Sequence, residues 1–283
     1  MFVLPKNNYI LATQTAAREQ IQQARQRLSD STHGLEFDPC PHKYHYAGRE
    51  VRNVSSIVEH FAPFDSMAVA KRCSAKPGHE HFGKTPEEIM ALWEKKRDDA
   101  ADAGTAVHAF GEACCDFLTG NEEGIDPEFR ERITPDGLVA IDPKEEAIAR
   151  WWAETDWTRY AVVAKETRVF NPQLRYAGTF DLLLYDLVES GFLMKDYKSN
   201  EDLFKWYRDM MLPPLNMLKR NDIGKYTIQQ TCYSICLRNI GLKVIGNDLI
   251  WLKEKQYQEV KLDTRYDKVI AFAIQQMNNQ QNI

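Results

Sequence analysis

The 283-residue sequence lacks the features that define several classes of protein. It contains no run of about 18 apolar residues, the length that a transmembrane helix requires, so we expect no membrane association. Residues 1–4 are too few for the apolar core of a signal peptide, and Lys6 interrupts them, which favours a cytoplasmic protein. No internal repeat is visible, so we expect one or two ordinary domains.

A basic excess is also missing. The chain has 36 Lys and Arg against 41 Asp and Glu, for a net charge of −5. Nucleic-acid-binding domains usually carry a positive surface, so the overall charge argues mildly against DNA as a partner. A metal site concentrates carboxylates, however, and bound divalent cations would offset their charge locally. Nucleic acid therefore stays among the candidate partners.

Two short polar segments at the edges of apolar runs carry the strongest chemical signal. Residues 178–181 (Gly-Thr-Phe-Asp) end in Asp181, and residues 196–198 (Asp-Tyr-Lys) carry Asp196 and Lys198. A polar stretch joins the two apolar runs, which predicts a β-hairpin. Alternate side chains of a strand share a face, so two carboxylates and an ammonium could meet there and serve a divalent metal and an attacking water. The alternative is a pair of turn-flanking aspartates with a solvated lysine.

Two helical segments add further candidates. His108 and Glu112 are four residues apart in an apolar pattern typical of a helix, and therefore share one face. Gln229 and Tyr233 have the same spacing in a predicted helix over residues 222–238. Taken alone, His108 could be an ordinary packed histidine and Gln229 an exposed residue of an amphipathic helix.

In order along the chain, these segments resemble the PD-(D/E)XK nuclease superfamily, in particular its RecB-like exonuclease branch. That pattern is a helix with G-x-x-x-H and a following Glu, strands with G-x-x-D and D-x-K, and a helix with Q-x-x-x-Y. The resemblance covers roughly residues 100–252. The matching positions are Gly104, His108, Glu112, Gly178, Asp181, Asp196, Lys198, Gln229 and Tyr233.

The resemblance implies a restriction-endonuclease-like core of the α/β (α+β) class, with a mixed central sheet flanked by helices. Residue patterns predict strands over 161–170, 176–186, 191–198 and 242–252, and helices over 222–238 and 262–279. We expect this core to occupy residues 101–283. Residues 1–100 are expected to form a mostly helical extension packed on it, with helices over 10–29 and 85–102 and a hairpin over 37–51.

The resemblance also implies chemistry with one or two Mg²⁺ or Mn²⁺ ions. Asp181 and Asp196 would ligate the metal through oxygen, joined by the backbone carbonyl of Tyr197. His108 would be a further ligand, and an imidazole in an oxygen shell shifts the preference toward Mn²⁺. Lys198 would orient or help deprotonate the attacking water and stabilise developing charge.

The predicted catalytic set is completed by Glu112, whose role stays open between supporting His108, binding a second metal and acting through water. Glu166, on the preceding strand, either does similar work or is simply exposed. The residues expected to contact DNA or to brace the site are Gln229, Tyr233, Tyr226, Gly178, Thr179, Arg208 and Lys225. Basic residues near this expected groove are Lys195, Lys205, Arg208, Lys219, Arg220 and Lys225.

We expect no iron–sulfur cluster. Members of the branch that hold one use closely spaced cysteines near the C-terminus, and no cysteine follows Cys236 here. The resemblance thus implies a metal-dependent DNA exonuclease acting on single strands or duplex ends in recombination, repair or phage DNA processing. The alternatives are a catalytically inactive nucleic-acid-binding module of the same fold, and an endonuclease or junction resolvase.

Overall fold

The computed structural model describes residues 1–40 and 42–280. The chain divides into two compact units. One, here called the sheet unit, contains Met1–Ala62 and the chain from Phe110 onward; the other, the helical unit, is Pro63–Ala109. The boundary predicted near residue 100 falls inside a continuous helix, Pro86–Thr119.

The elements are given in chain order. They are β1 (Phe2–Leu4), α1 (Asn8–Ala16), α2 (Arg18–Ser31), β2 (Leu35–Asp38), β3 (Lys43–Tyr46), β4 (Arg49–Asn53), α3 (Val54–Phe61), α4 (Ser66–Ala75), α5 (Pro86–Thr119), α6 (Pro127–Arg130), β5 (Ile133–Thr134), β6 (Gly137–Ala140), α7 (Pro143–Glu154), β7 (Tyr160–Asn171), β8 (Tyr176–Asp186), β9 (Gly191–Lys198), α8 (Asp222–Asn239), β10 (Val244–Leu252), β11 (Tyr257–Lys261) and α9 (Asp267–Gln280).

A mixed sheet of eight strands organises the described part of the sheet unit. Its order is β11-β10-β9-β8-β4-β3-β2, and β7 pairs with the other edge of β8. The pairs β7–β8, β8–β9 and β10–β11 are antiparallel, whereas β9–β10 and β4–β8 are parallel. The predicted mixed α/β class, with a mixed sheet flanked by helices, is confirmed.

One edge of β8 is divided between two partners. β4 pairs with Tyr176 and Ala177, and β9 pairs with residues 182–186. Since β7 occupies the opposite edge, residues 178–181 lie in an interval that no strand of the described chain covers on this side. The Gly-Thr-Phe-Asp segment therefore borders an opening in the sheet.

Both faces of β9 are covered, which explains why its residues are almost all buried. On one face Ser234 of α8 donates a hydrogen bond to the sulfur of Met194 at 3.6 Å. On the other, the indole N–H of Trp152 donates to the hydroxyl of Tyr197 at 3.0 Å. A strand buried on both faces loses the alternation of a half-exposed strand and becomes a continuous apolar run, as this sequence has.

The local predictions fare well for the elements nearest the motifs. The hairpin β8–β9, helix α8 and the final helix α9 are confirmed, as is the hairpin of β3 and β4. The single helix predicted over residues 10–29 is instead two, α1 and α2, meeting at Ala17. The Thr13 hydroxyl donates to the carbonyl oxygens of Tyr9 and Ile10, and such back-bonding bends helices. The first 62 residues also contribute β2, β3 and β4 to the main sheet.

The helical unit consists of α4, the first part of α5 and the segment between them. At the start of helix α5, Glu88 N–H donates to the Thr85 hydroxyl, and Thr85 N–H donates to the Glu88 carboxylate. This reciprocal pair is a capping box, which satisfies backbone donors that a helix start leaves open. Within residues 1–40 and 42–280, no helix combines the length and apolar character needed to span a bilayer.

Candidate functional site

Two carboxylates face each other across β7 and β8. The register pairs Lys165 with Leu182 and Thr167 with Phe180, so Glu166 lies opposite Asp181. A carboxylate oxygen of Glu166 and one of Asp181 lie within 4.8 Å of each other. Glu166 has a φ of +38°, a left-handed conformation that is uncommon for a residue with a side chain. Such backbone outliers concentrate at functional sites.

The main chain of β9 orients Asp181. The Tyr197 N–H donates a hydrogen bond of 2.8 Å to Oδ2 of Asp181. This bond joins the two predicted motifs directly, because Asp181 ends one and Tyr197 is the centre of the other. The bond therefore fixes the orientation of the Asp181 carboxylate beside β9.

Asp196 and Lys198 form an ion pair on the same strand. Asp196 is only 2% exposed, and its Oδ1 accepts a hydrogen bond of 2.8 Å from the side-chain amide of Gln230. Gln230 lies on α8 and is itself buried. Strand alternation puts Asp196 and Lys198 on one face, as the sequence predicts, and α8 covers that face.

Lys198 is held as a cation by its surroundings. Burial disfavours its charged form, but the carboxylates of Asp196 and Asp181 outweigh that effect and raise the pKa of Lys198 above its ordinary value. Its ammonium lies 4.8 Å from the centre of the Tyr226 ring. Burial raises the pKa of Tyr226 to about 12, so this phenol is neutral and its hydroxyl donates to Asn200 Oδ1 at 2.8 Å.

Glu112 has a cationic neighbour that the sequence did not indicate. Lys165 of β7 donates to the carboxylate of Glu112 at 3.3 Å and to that of Asp116, one turn further along α5, at 2.6 Å. Burial opposes the charge of Lys165, but the ion pair with Asp116 outweighs it and raises the pKa of Lys165. Glu112 is thus tied to the strand that carries Glu166.

His108 lies on α5 one turn before Glu112, with the predicted helical spacing. It is half-buried and belongs to the last residues of the helical unit, whereas Glu112 belongs to the sheet unit. Its assignment as a metal ligand stays a prediction.

The ring of Tyr233 packs directly against the backbone at Gly178. A Cβ at Gly178 would lie 2.5 Å from Cε1 of Tyr233, closer than carbon atoms approach, and 3.1 Å from a methyl carbon of Val54, a tight contact. Tyr233 is buried, and burial raises the pKa of its phenol. The glycine of one motif is therefore required by the aromatic ring of another, and this buried position fits bracing of the site better than contact with DNA.

The remaining predicted residues are distributed as follows. The Thr179 and Tyr44 hydroxyls are hydrogen-bonded at 2.9 Å. Lys225 pairs with Asp222 at 3.1 Å at the start of α8. Arg208 is exposed in the segment between β9 and α8. Oε1 of Gln229 is buried and has no hydrogen-bond partner among the described residues.

Lys195, one of the basic residues expected near the groove, does not face it. It is buried, and its ammonium contacts Asp248 at 2.9 Å and Glu259 at 2.8 Å. Lys195 precedes Asp196 and so points to the opposite face of the sheet. It stabilises the pairing of β9, β10 and β11 and offers no charge to a ligand at Asp196.

Sequence reasoning missed Gln230, Lys165 and Asp116 and left Glu166 undecided. Only one signal was available in advance: an antiparallel β7–β8 pair with its turn near residue 173 places residue 166 opposite residue 181. No spacing rule distinguishes Gln230 from its neighbour Gln229 or links Lys165 to α5.

The donor set fits a hard divalent cation. Asp181 and Glu166 supply close carboxylate oxygens, and oxygen ligands are those that Mg²⁺ and Mn²⁺ prefer. Asp196 is a further carboxylate on the adjacent strand, where Lys198 and Gln230 engage it. Tyr197 N–H and Gln230 anchor two of these carboxylates from outside, the usual arrangement around metal ligands. No protein-family model and no curated protein matches this chain.

Proposed function

We propose that the protein is a divalent-metal-dependent DNA nuclease with a restriction-endonuclease-like core of the PD-(D/E)XK type. One observation carries the proposal. Asp181 and Glu166 bring carboxylate oxygens together at the opening of the sheet, and the Asp196–Lys198 pair is fixed on the adjacent strand. The Tyr197 N–H bond to Asp181 links the two groups into one site.

Each residue has a chemical role in this proposal. Asp181, Asp196 and Glu166 would hold Mg²⁺ or Mn²⁺, and His108, one turn before Glu112, would add an imidazole. A bound divalent cation lowers the pKa of its water and offsets the charge of the phosphate. Lys198, kept cationic by Asp196 and Asp181, would position that water and stabilise the charge that develops on the phosphate.

The supporting residues keep this geometry in place. Gln230 would fix the rotamer of Asp196, and the buried Tyr233 would hold Gly178 and with it the stretch of β8 that leads to Asp181. Lys165 would keep the carboxylate of Glu112 near the strand of Glu166. The backbone carbonyl of Tyr197 remains a proposed metal ligand. The N–H of the same residue orients Asp181 by a hydrogen bond.

An exonuclease is the proposed activity, by resemblance of the motif order. The test is incubation of purified protein with linear DNA labelled at the 5′ or the 3′ end and with a closed circle, in Mn²⁺, Mg²⁺ or EDTA. Metal-dependent shortening of linear DNA alone, from one labelled end, is expected. Cleavage of the circle would instead favour the endonuclease or junction resolvase.

Lys198→Ala is the decisive variant, because it removes the ammonium and leaves the metal ligands. It should abolish cleavage, whereas Lys261→Ala, at an exposed lysine of β11, should cut like the wild type. Undiminished cleavage by Lys198→Ala would remove the site assignment. DNA binding by the wild type without cleavage in any metal would favour the inactive binding module.

A further inference from the structure

The segment 199–221, here called the aromatic loop, displays apolar side chains that a loop would normally bury. It connects the end of β9 at Lys198 with the start of α8 at Asp222. Tyr207 is 72% exposed, and Trp206 is 37% exposed. The other exposed large apolar residues of the loop are Phe204, Met210, Leu212 and Met217.

This exposure is not a failure to pack, because the loop is anchored at several points. Leu203 and Leu215 are fully buried. The indole N–H of Trp251 donates to the carbonyl of Asn200 at 2.8 Å. Within the loop, Met211 N–H donates to the carbonyl of Leu218 at 3.0 Å. The exposed rings therefore stand on a fixed base.

Cations accompany the two most informative rings. The Lys219 ammonium lies 4.7 Å from the centre of the Trp206 ring, and that of Lys205 lies 5.5 Å from the centre of the Tyr207 ring. The Trp206 indole N–H donates to the carbonyl of Asp209 at 2.6 Å, which fixes the orientation of the ring.

Two acidic residues of the loop, Asp202 and Asp209, are engaged within it. Asp202 accepts from the backbone N–H groups of Phe204 and Lys205, and Asp209 is paired with Arg220. The loop as a whole has four basic and three acidic residues, in a chain whose net charge is −5. Asp202 and Asp209 thus shape the loop, and Lys205 and Lys219 lie beside its exposed rings.

We infer that the aromatic loop is a binding platform for single-stranded nucleic acid, on which bases stack on Tyr207 and Trp206 and phosphates contact Lys205, Lys219 and Arg208. Aromatic rings interleaved with cations suit a single strand because its bases expose their faces, which a duplex hides. The loop begins directly after Lys198, so a strand bound there would lie next to the proposed catalytic site. The statement that this unpaired strand is the substrate rests on the proposed function.

Binding is measured without hydrolysis, by fluorescence anisotropy of a labelled oligothymidylate of about 20 nucleotides in EDTA. Tyr207→Ala should weaken binding about tenfold, the loss typical of one stacked base. Tyr9→Ala is the matched control, since Tyr9 on α1 is 65% exposed, close to the value for Tyr207, and it should bind like the wild type. Thermal melting of each variant checks that the fold is intact.

An abasic oligonucleotide of the same length separates stacking from charge. The wild type should bind the abasic strand more weakly than it binds oligothymidylate. The wild type and Tyr207→Ala should bind the abasic strand with equal affinity. Among the six tryptophans, all within residues 42–280, Trp206 alone is exposed. Oligothymidylate should therefore quench tryptophan fluorescence in the wild type, and the abasic strand should not.

Several outcomes would overturn the inference. These are unchanged affinity of Tyr207→Ala, an equal loss with the abasic strand or with duplex, and no binding of oligothymidylate by the wild type. Loss of self-association in Tyr207→Ala, with unchanged oligonucleotide binding, would assign the rings to a second copy of the chain. Oligothymidylate binding that depends on Tyr207, in a protein that cleaves nothing in any metal, would support the platform and reject the proposed nuclease.

Discussion

The side-chain amide of Gln230 donates a hydrogen bond of 2.8 Å to Oδ1 of Asp196. Both residues are buried, and they come from a helix and a strand that are separated by the aromatic loop. Asp196 is also paired with Lys198. Gln230 is therefore the residue through which α8 sets the orientation of a proposed metal ligand.

Gln230→Ala should weaken metal binding and cleavage about 10- to 100-fold, the effect usual for a residue that orients a metal ligand. The measurement is Mn²⁺ titration by calorimetry beside the rate of DNA cleavage. Gln230→Glu should be no better, because it replaces the donor with a carboxylate facing Asp196. Gln229→Ala is the neighbouring control. If Gln229→Ala lost more metal affinity and activity than Gln230→Ala, the role of orienting Asp196 would belong to Gln229, the residue of the Q-x-x-x-Y motif.

Gly178→Ala should destabilise the protein by about 1–3 kcal/mol, because the new methyl group would collide with the ring of Tyr233. Urea unfolding gives the free energy. Tyr233→Leu removes the ring, so the double variant should be less destabilised than the sum of the two single ones. Tyr9→Leu, at an exposed site on α1, should instead add to Gly178→Ala without coupling. If the losses in unfolding free energy from Gly178→Ala and Tyr233→Leu were additive, the proposed clash between residue 178 and the Tyr233 ring would be contradicted.

Mn²⁺ should raise the thermal midpoint of the wild type, since a ligand that binds only the folded state stabilises it by about 2.7 kcal/mol at a concentration of 100 Kd. Asp181→Asn and Glu166→Gln should each reduce this shift, because each removes one of the two neighbouring carboxylates. Glu189→Gln, at an exposed turn residue, is the control. A full Mn²⁺ shift in both site variants would exclude these carboxylates as ligands.

The hairpin that carries both motifs should be sensitive to acid through Asp186. Burial alone would raise the pKa of Asp186, but hydrogen bonds from Arg159 and from the N–H groups of Glu189 and Val188 outweigh it and lower that pKa. A lowered pKa in the folded state adds stability that is present above about pH 4 and is lost as the pH falls through the folded-state value.

Asp186→Asn should therefore cost about 1–3 kcal/mol at pH 7 and progressively less below about pH 4. The amide oxygen can still accept from the turn, but its NH₂ group would face the Arg159 donors. Urea unfolding from pH 7 down to about pH 3 measures the difference. Asp136→Asn, at an exposed aspartate, is the control. A cost that does not shrink in acid would show that the carboxylate charge is not responsible.

The sequence predicted well the features that depend on short-range periodicity. The β8–β9 hairpin and helix α8 follow from local patterns and are observed. The helix predicted over residues 10–29 is interrupted at Ala17, in a region where threonine hydroxyls bond to the preceding turn. The apolar spacing of the sequence does not indicate this interruption.

Register between distant segments decided what periodicity did not. Neighbouring residues of a helix point about 100° apart, so only one of Gln229 and Gln230 can reach Asp196. Which one does so depends on how α8 packs against the sheet. The contacts of Lys165 with Glu112 and Asp116 likewise depend on tertiary packing. A long stretch of chain separates β7 from α5, so local patterns do not predict these contacts.

By itself, the sequence determined the local conformations and the sharing of one strand face by Asp196 and Lys198, because strand alternation is fixed by the backbone. Only the tertiary structure decided that β4 and β9 divide one edge of β8 and leave an opening beside Asp181. It also decided that Glu166 lies opposite Asp181 and that Tyr233 requires glycine at position 178. These relationships depend on how separate segments pack together, and that packing is set by the whole core.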